Sequence, residues 1–370
     1  MRIKANREAL HRGFQRVGGV VSSSIQQPLY RNVKVEAVGG GLYVSATDLE
    51  VQLTLKIADV DVQEEGRVLV PHSRITPILA ATPDEEVIMN EDDGAVAIET
   101  GGSSFRILGE DPTDFPDTPA LPSKGVVEVD PEVLKYMIRR TVFAVAEEKG
   151  RYALNGVLIV ISKDGGIEMV AADGARLAQV AKKADNPDGI KAEVIVMARG
   201  IDQLARLADY GKDPVRLAAT ENKLVAENDA GRMASLLVEG QFPNYKEVIP
   251  RDSKIKIQLP TKELLSAVRR ASYMTTEETK VVDFVFSKGQ LAITAESPDV
   301  GRAEVRMPIE YDGANVQISF NPDYLDDMLN AVERDAVKMA FTDRRSPCVL
   351  KSGLDYTYVV SPVVREEGEP

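Results

Sequence analysis

The same amphipathic segment is written three times in this chain. REALHRGFQRVGGVV, PEVLKYMIRRTVFAV and TKELLSAVRRASYMT align Leu10, Leu134 and Leu264, then Phe14, Ile138 and Val268. They place Arg16, Arg140 and Arg270 in one register, beside Gln15, Arg139 and Arg269. Apolar residues four apart make each segment a helix with one buried stripe and an opposite face left for something else. A second helix recurs after a β-rich run, in RVLVPHSRITPILAA, EVIVMARGIDQLARLA and VQISFNPDYLDDMLNAV. Val70, Val196 and Phe320 match there, and Ile75, Ile201 and Leu325 open the apolar stripe. A third element follows glycine in GGLYVSATD, GGIEMVAAD and GQLAITAES, where Leu42, Ile167 and Leu291 alternate with polar residues as a half-buried strand requires. Three elements sharing a period of about 125 residues define a triplicated unit.

Proline-rich joints lie between the copies: EDPTDFPDTPALPSKG, then GQFPNYKEVIPRDSK. Proline fixes φ and cannot donate to a ladder, so these are connections. The expected domains are 1–123, 124–252 and 253–370. Each unit is α+β, an antiparallel sheet with two helices on one face. Lys135 and Arg139, four apart, fall on the outward side of one such helix with Arg140 close by. The second half of that segment, MIRRTVFAVAEE, is expected to continue the helix as AVRRASYMTTEE does.

Chemistry is bounded by what is scarce. With 44% apolar and 28% charged residues of both signs the chain is a folded globular protein. The single cysteine, Cys348, allows no intramolecular disulfide or thiolate cage, which fits a reducing cytoplasmic setting. No apolar run approaches the length of a membrane span, and the first residues lack the apolar core of a secretion signal. The net charge of −13 opposes bulk attraction to DNA, so any contact with nucleic acid must be local or topological. Only His11 and His72 can supply imidazole; His11 is expected on the basic helix surface and His72 in the cap region of the second helix. VGGGL and GGSS lack a phosphate-cradling lysine and are turns. Asp48 and Asp173 sit at matching positions after a strand, where turn capping outweighs a catalytic or metal role. No cofactor or metal site and no catalytic residue is expected.

RYALNGV, AADGARLA, GQFPNYKEVIP, FNPDYLDDMLNAV and YVVSPVV, in this order within the triple repeat, resemble the bacterial DNA polymerase III β subunit, the replicative sliding clamp, from residue 1 to about 365. The resemblance implies three clamp-type domains per subunit and a head-to-tail homodimeric ring of six, with helices lining the hole. It implies a non-catalytic processivity factor that encircles double-stranded DNA without sequence preference and tethers the replicative polymerase, the clamp loader and repair proteins. The DNA-facing candidates are Arg12, Arg16, Lys135, Arg139, Arg140, Arg206, Arg269 and Arg270. Outer carboxylates lie beyond a helix about 10 Å thick, farther from the duplex than the ~8 Å Debye length, which reconciles an acidic chain with DNA.

The resemblance also implies a cleft between the second and third domains for a short extended peptide. Its wall would hold Arg151, Leu154, Gly174, Arg176, Leu177, Pro243 and Val248, with Asn321, Tyr324, Ser346, Val359, Val360, Pro362 and Val363. Leu177, Val248 and Val360 would be the anchors. Ala172, Ala175 and the ending Ser361-Pro362-Val363-Val364-Arg365 depart from the family's usual residues, and an acidic EEGEP follows. Phe105 and Ile107 on GGSSFRILG would meet Tyr273 and Met274 across the dimer. Two rivals remain: an enzyme with a polar pocket near Asp48 or Asp173, and a scaffold that binds proteins but not DNA.

Overall fold

The computed structural model describes residues 1–21, 27–147 and 152–364. The first repeat runs β1 (Arg2–Asn6), α1 (Arg7–Val17), β2 (Asn32–Val38), β3 (Gly41–Thr47), β4 (Val51–Ile57), β5 (Val60–Glu64), β6 (Gly66–Pro71), α2 (His72–Ala81), β7 (Glu86–Asp92), β8 (Ala95–Thr100) and β9 (Ser103–Leu108). The second runs β10 (Val127–Val129), α3 (Pro131–Arg139), β11 (Gly156–Ile161), β12 (Gly166–Ala172), β13 (Arg176–Lys183), β14 (Ala192–Met197), α4 (Ala198–Tyr210), β15 (Val215–Ala219), β16 (Lys223–Asn228) and β17 (Gly231–Leu236). After a one-turn α5 (Tyr245–Val248), the third runs β18 (Ile255–Pro260), α6 (Thr261–Ser272), β19 (Val282–Ser287), β20 (Gln290–Ser297), β21 (Gly301–Pro308), β22 (Val316–Phe320), α7 (Pro322–Ala331), β23 (Ala336–Phe341), β24 (Cys348–Ser352) and β25 (Tyr356–Val360). Apart from β5, the order of elements is the same three times over.

The aligned residues do the same work in each copy. Leu10, Leu134 and Leu264 are buried, as are Phe14, Ile138, Val268, Ile75, Ile201 and Leu325. They press the helix pairs α1–α2, α3–α4 and α6–α7 onto one side of the sheets, in a core continuous through all three repeats. Starts are capped where the sequence supplies a short polar residue: Asn6 Oδ1 accepts from Ala9 N at 3.0 Å, and Asp130 Oδ1 from Glu132 N at 2.9 Å.

The sheets cross the repeat boundaries. One eight-stranded sheet has the order β10-β15-β16-β17-β4-β3-β2-β6, and another β14-β11-β12-β13-β25-β24-β23-β18. At both junctions the third strand of one repeat's central meander pairs with the last strand of the following repeat: β4 with β17, and β13 with β25. The corresponding strands at the chain's two extremes pair on one side only. They are β9, at the edge of the five-stranded sheet β5-β1-β7-β8-β9, and β21, at the edge of the four-stranded sheet β21-β20-β19-β22.

One helix is shorter than its register promises. α3 stops at Arg139, whereas α6 continues to Ser272. The Thr141 hydroxyl donates back to Met137 O at 2.9 Å, and the chain turns into a short 3-10 segment, Val142–Ala144. MIRRTVFAVAEE is therefore not a second copy of a long helix; its end, from Glu148, lies outside the described residues. His72 is the first residue of α2 rather than a cap, and its Nε2 lies 3.1 Å from Phe14 O, tying α2 to α1.

Candidate functional site

The cations of the helix face are mostly neutralised in place. Arg12 pairs with Glu8 at 2.7 Å within α1, and Lys135 with Glu132 at 2.8 Å and Asp209 at 3.2 Å. Arg139 reaches across a repeat boundary to Glu333, and Arg269 holds Asp326 and, at 2.9 Å, Asn330 of α7. Arg16 lies over the Tyr210 ring at 4.0 Å, joining the first repeat to the second; desolvation by burial lowers its pKa. Arg206 and Arg270 remain exposed.

Arg140 does not belong to this surface. It is 1% exposed, with its guanidinium 3.5 Å from the centre of the Tyr136 ring and its Nη1 donating to Tyr136 O at 3.4 Å. Because α3 ends one residue earlier, Arg140 occupies the C-cap and folds back over its own helix.

The matched aspartates are turn residues. Asp48 Oδ1 accepts from Glu50 N at 3.0 Å and Val51 N at 2.7 Å; Asp173 Oδ1 accepts from Ala175 N at 2.8 Å and Arg176 N at 2.9 Å. Their second oxygens meet Arg199 and Arg176. Such arrangements fix a bend and leave little free carboxylate for acid–base work.

The outer sheet face differs between junctions. Where the first and second repeats meet, a hollow of about 500 Å³ is lined by polar groups including Lys34, Glu36, Ser45, Thr54 and Arg232. Where the second and third meet, the rung Leu177–Val359, on β13 and β25, floors an apolar hollow of about 130 Å³. Leu154, Ala172, Gly174, Pro243 and Val248 wall it, with Phe242 and Tyr245. Gly174 adopts φ +99, a left-handed conformation that glycine tolerates without strain, so the Asp173 turn stays narrow at the rim. Val248, on the wall of the hollow, is 50% exposed. The Tyr245 hydroxyl donates to Glu168 at 2.9 Å and holds α5 against the sheet.

Arg176 closes one end of the hollow. It donates to Asp173 at 2.9 Å, Asp327 at 2.6 Å and Phe143 O at 2.7 Å, and lies 4.5 Å over the Tyr324 ring. Burial works against its charge, but the hydrogen bond to Asp327 and the adjacent carboxylates outweigh that penalty and raise its pKa.

Several expected cleft residues stand elsewhere. Val360, expected as an anchor, is fully buried in the main core, because strand alternation turns it away from the face that carries Val359. Asn321 caps α7 by accepting from Asp323 N at 3.0 Å, and Ser346 N donates to Asp343 at 2.9 Å. Tyr324 lies under Arg176, and Val363 N donates to Ser319 O at 2.8 Å beside Pro362. None of these lines the apolar hollow. Arg151 and the tail from Arg365 lie outside the described residues. Phe242 and Tyr245 are cleft residues that the sequence reading does not name; the two aromatics flanking Pro243-Asn244 in GQFPNY are the signal that points to them.

At the free edges, Phe105 is exposed but Ile107 is buried against its own repeat; Leu108, not singled out in the sequence, is 78% exposed. Tyr273 is 72% exposed at the end of α6, and Met274 lies near Gly301 at the start of β21. Between α2 and β9 is a hollow of about 380 Å³ lined by Pro77, Ile78 and Phe105.

Three like repeats, sheets fused by one recurring strand pairing, and helix pairs on a common side together define a clamp-type chain. Models of the DNA polymerase III beta subunit match its N-terminal domain at residues 1–119, its central domain at 128–244 and its C-terminal domain at 246–363. The chain belongs to the DNA polymerase III beta subunit family. It is 30% identical over 366 residues to the beta sliding clamp of Pseudomonas aeruginosa and 29% identical over 366 residues to that of Escherichia coli, each match covering 98% of this chain and 100% of the relative. The crystal structure of the Pseudomonas aeruginosa DNA polymerase III subunit beta superposes with a TM-score of 0.91 at 30% identity, covering 98% of this chain and 100% of that one. The Bacillus subtilis DNA polymerase sliding clamp, at 24% identity, shares the fold with a TM-score of 0.93 over 99% of this chain and 100% of its own.

Proposed function

We propose that two copies of this chain join head to tail into a six-repeat ring around double-stranded DNA, acting as the replicative sliding clamp. The carrying observation is the recurring strand pairing. β4 takes the last strand of the second repeat and β13 that of the third; by the same rule β21 takes β9 of a second copy, and β21 of that copy takes β9 of the first. Two such head-to-tail junctions, related by a half-turn, close a ring of two subunits and remove both open edges. Tyr273 and Met274 beside β21 would then face the hollow next to Phe105 and Leu108. Sedimentation should give a mass near twice 40.3 kDa; a single-subunit mass at micromolar concentration would count against closure.

DNA would pass along the helix face, held by Arg12, Arg16, Lys135, Arg139, Arg206, Arg269 and Arg270. Exposed ion pairs are worth about 0–1 kcal/mol, so phosphates can replace Glu8, Asp209, Glu333 or Asp326 at little cost and little gain. Contacts of that kind are weak, sequence-blind and exchangeable, which suits a sliding ring. The cleft floored by Leu177 and Val359 would receive a short extended peptide from the replicative polymerase, the clamp loader or repair proteins. In this reading the protein acts in the cytoplasm and catalyses nothing itself; it keeps another enzyme on its template. Among the described residues no helix is long and apolar enough to cross a membrane.

A further inference from the structure

The outer face of the third repeat carries a second hollow, of about 430 Å³, which shares Val349 with the apolar cluster under the cleft. Opposed residues of antiparallel strands project to the same face. One such rung runs Lys256, Ala340, Val349, Val359, Leu177 across β18, β23, β24, β25 and β13, so the cleft floor and this hollow are one continuous strip. Two residues further along the strands, Lys338 stands directly opposite Lys351, and Arg251 of the linker after α5 completes the border. All four cations are exposed, and among the described residues no Asp or Glu lines the hollow. Among the described residues none of the four belongs to an ion pair, unlike Arg12, Lys135, Arg139 and Arg269 on the helix face. In a chain of net charge −13, an opposed Lys–Lys rung with no acid among the described residues of the hollow is a local cost that an anionic ligand would relieve.

We propose that this basic hollow extends the peptide cleft and receives acidic residues that flank the apolar anchors of a partner protein's extended segment. The inference rests on the cleft reading above. Neighbouring strands lie about 4.8 Å apart and an extended chain advances about 3.3 Å per residue. An Asp or Glu some two to five positions from an anchor on Val359 therefore reaches Lys351 or Lys338. A nucleic-acid phosphate would meet the same charges, but the strip's continuity with an apolar floor favours a ligand carrying both apolar and acidic side chains.

The test uses the full-length protein and four fluorescent decapeptides with Leu and Phe anchors: three Asp before or after the anchors, and twins with Asn in place of Asp. One Asp peptide should bind at least fivefold tighter than its twin in 50 mM salt, and the advantage should shrink at 500 mM. Lys338→Gln/Lys351→Gln should erase it while the Asn twins bind as before. Equal binding of Asp and Asn peptides, with Val248→Asp still weakening both, would overturn this inference and leave the cleft standing. Binding of no peptide, or binding indifferent to Val248→Asp, would overturn both. Loss of duplex DNA retention by the double variant, with peptide binding unchanged, would assign the lysines to DNA and also overturn it.

Discussion

Arg140 and Arg270 share a register and have opposite roles, because a helix end lies between their contexts. Arg140 packs on Tyr136 in the interior, so Arg140→Ala should destabilise the fold by about 1–3 kcal/mol, read as a lower thermal midpoint, with DNA retention of the folded protein unchanged. Arg270→Ala and Arg206→Ala should leave stability within about 0.5 kcal/mol and each reduce the salt dependence of DNA binding by about one counterion. Val359 and Val360 make the same point in a strand. Val359→Ala should weaken peptide binding by hollowing the cleft floor, whereas Val360→Ala should leave the cleft intact and cost about 1–3 kcal/mol by leaving a cavity in the main core, seen as a shifted denaturation midpoint. Sequence showed that Arg140 and Arg270 share a register and that two valines adjoin in YVVSPVV; it did not show which way a side chain faces. α3 ends three residues short of where α6 ends in the shared register, and Arg140, the first residue past that end, is buried; a one-residue step along β25 moves a valine from the main core to the smaller cluster under the cleft. The Asp48 and Asp173 turns were legible because a short carboxylate after a strand has one common use.

At the scale of elements, the triplication and its two helix types could be read from period and alternation, since both are local signals. The pairings β4–β17 and β13–β25 could not, because nothing in a single strand names a distant partner. Those pairings are the ground for proposing that the edge strands β9 and β21 pair between two copies. Leu108→Asp, on an exposed position of β9, should weaken dimerisation at least tenfold, measured by sedimentation, with the thermal midpoint of the monomer unchanged. The α1–α2 contact carries a pH dependence. Burial lowers the His72 pKa, opposed by its hydrogen bond to Phe14 O. The folded state therefore favours neutral imidazole. As pH falls below about 6.5 the unfolded chain takes up the proton first, and the stability His72 contributes is lost as pH drops toward the depressed folded pKa. The thermal midpoint should accordingly fall more steeply between pH 7 and 5 in the wild type than in His72→Gln.

For the whole molecule, an acidic chain and a basic task coexist through geometry. Cations gather on helices that share one side of continuous sheets, most of them already lightly paired, while the outer face is divided between a polar junction and an apolar one. If the account is right, DNA is held by enclosure rather than affinity. The most direct check is to load the protein onto a nicked circular duplex, isolate the complex in 0.5 M salt by size exclusion, and cut the circle once. The protein should stay with the circle through the high-salt column and leave when the DNA is linear. Retention that survives linearisation, or release from the intact circle by salt alone, would contradict it.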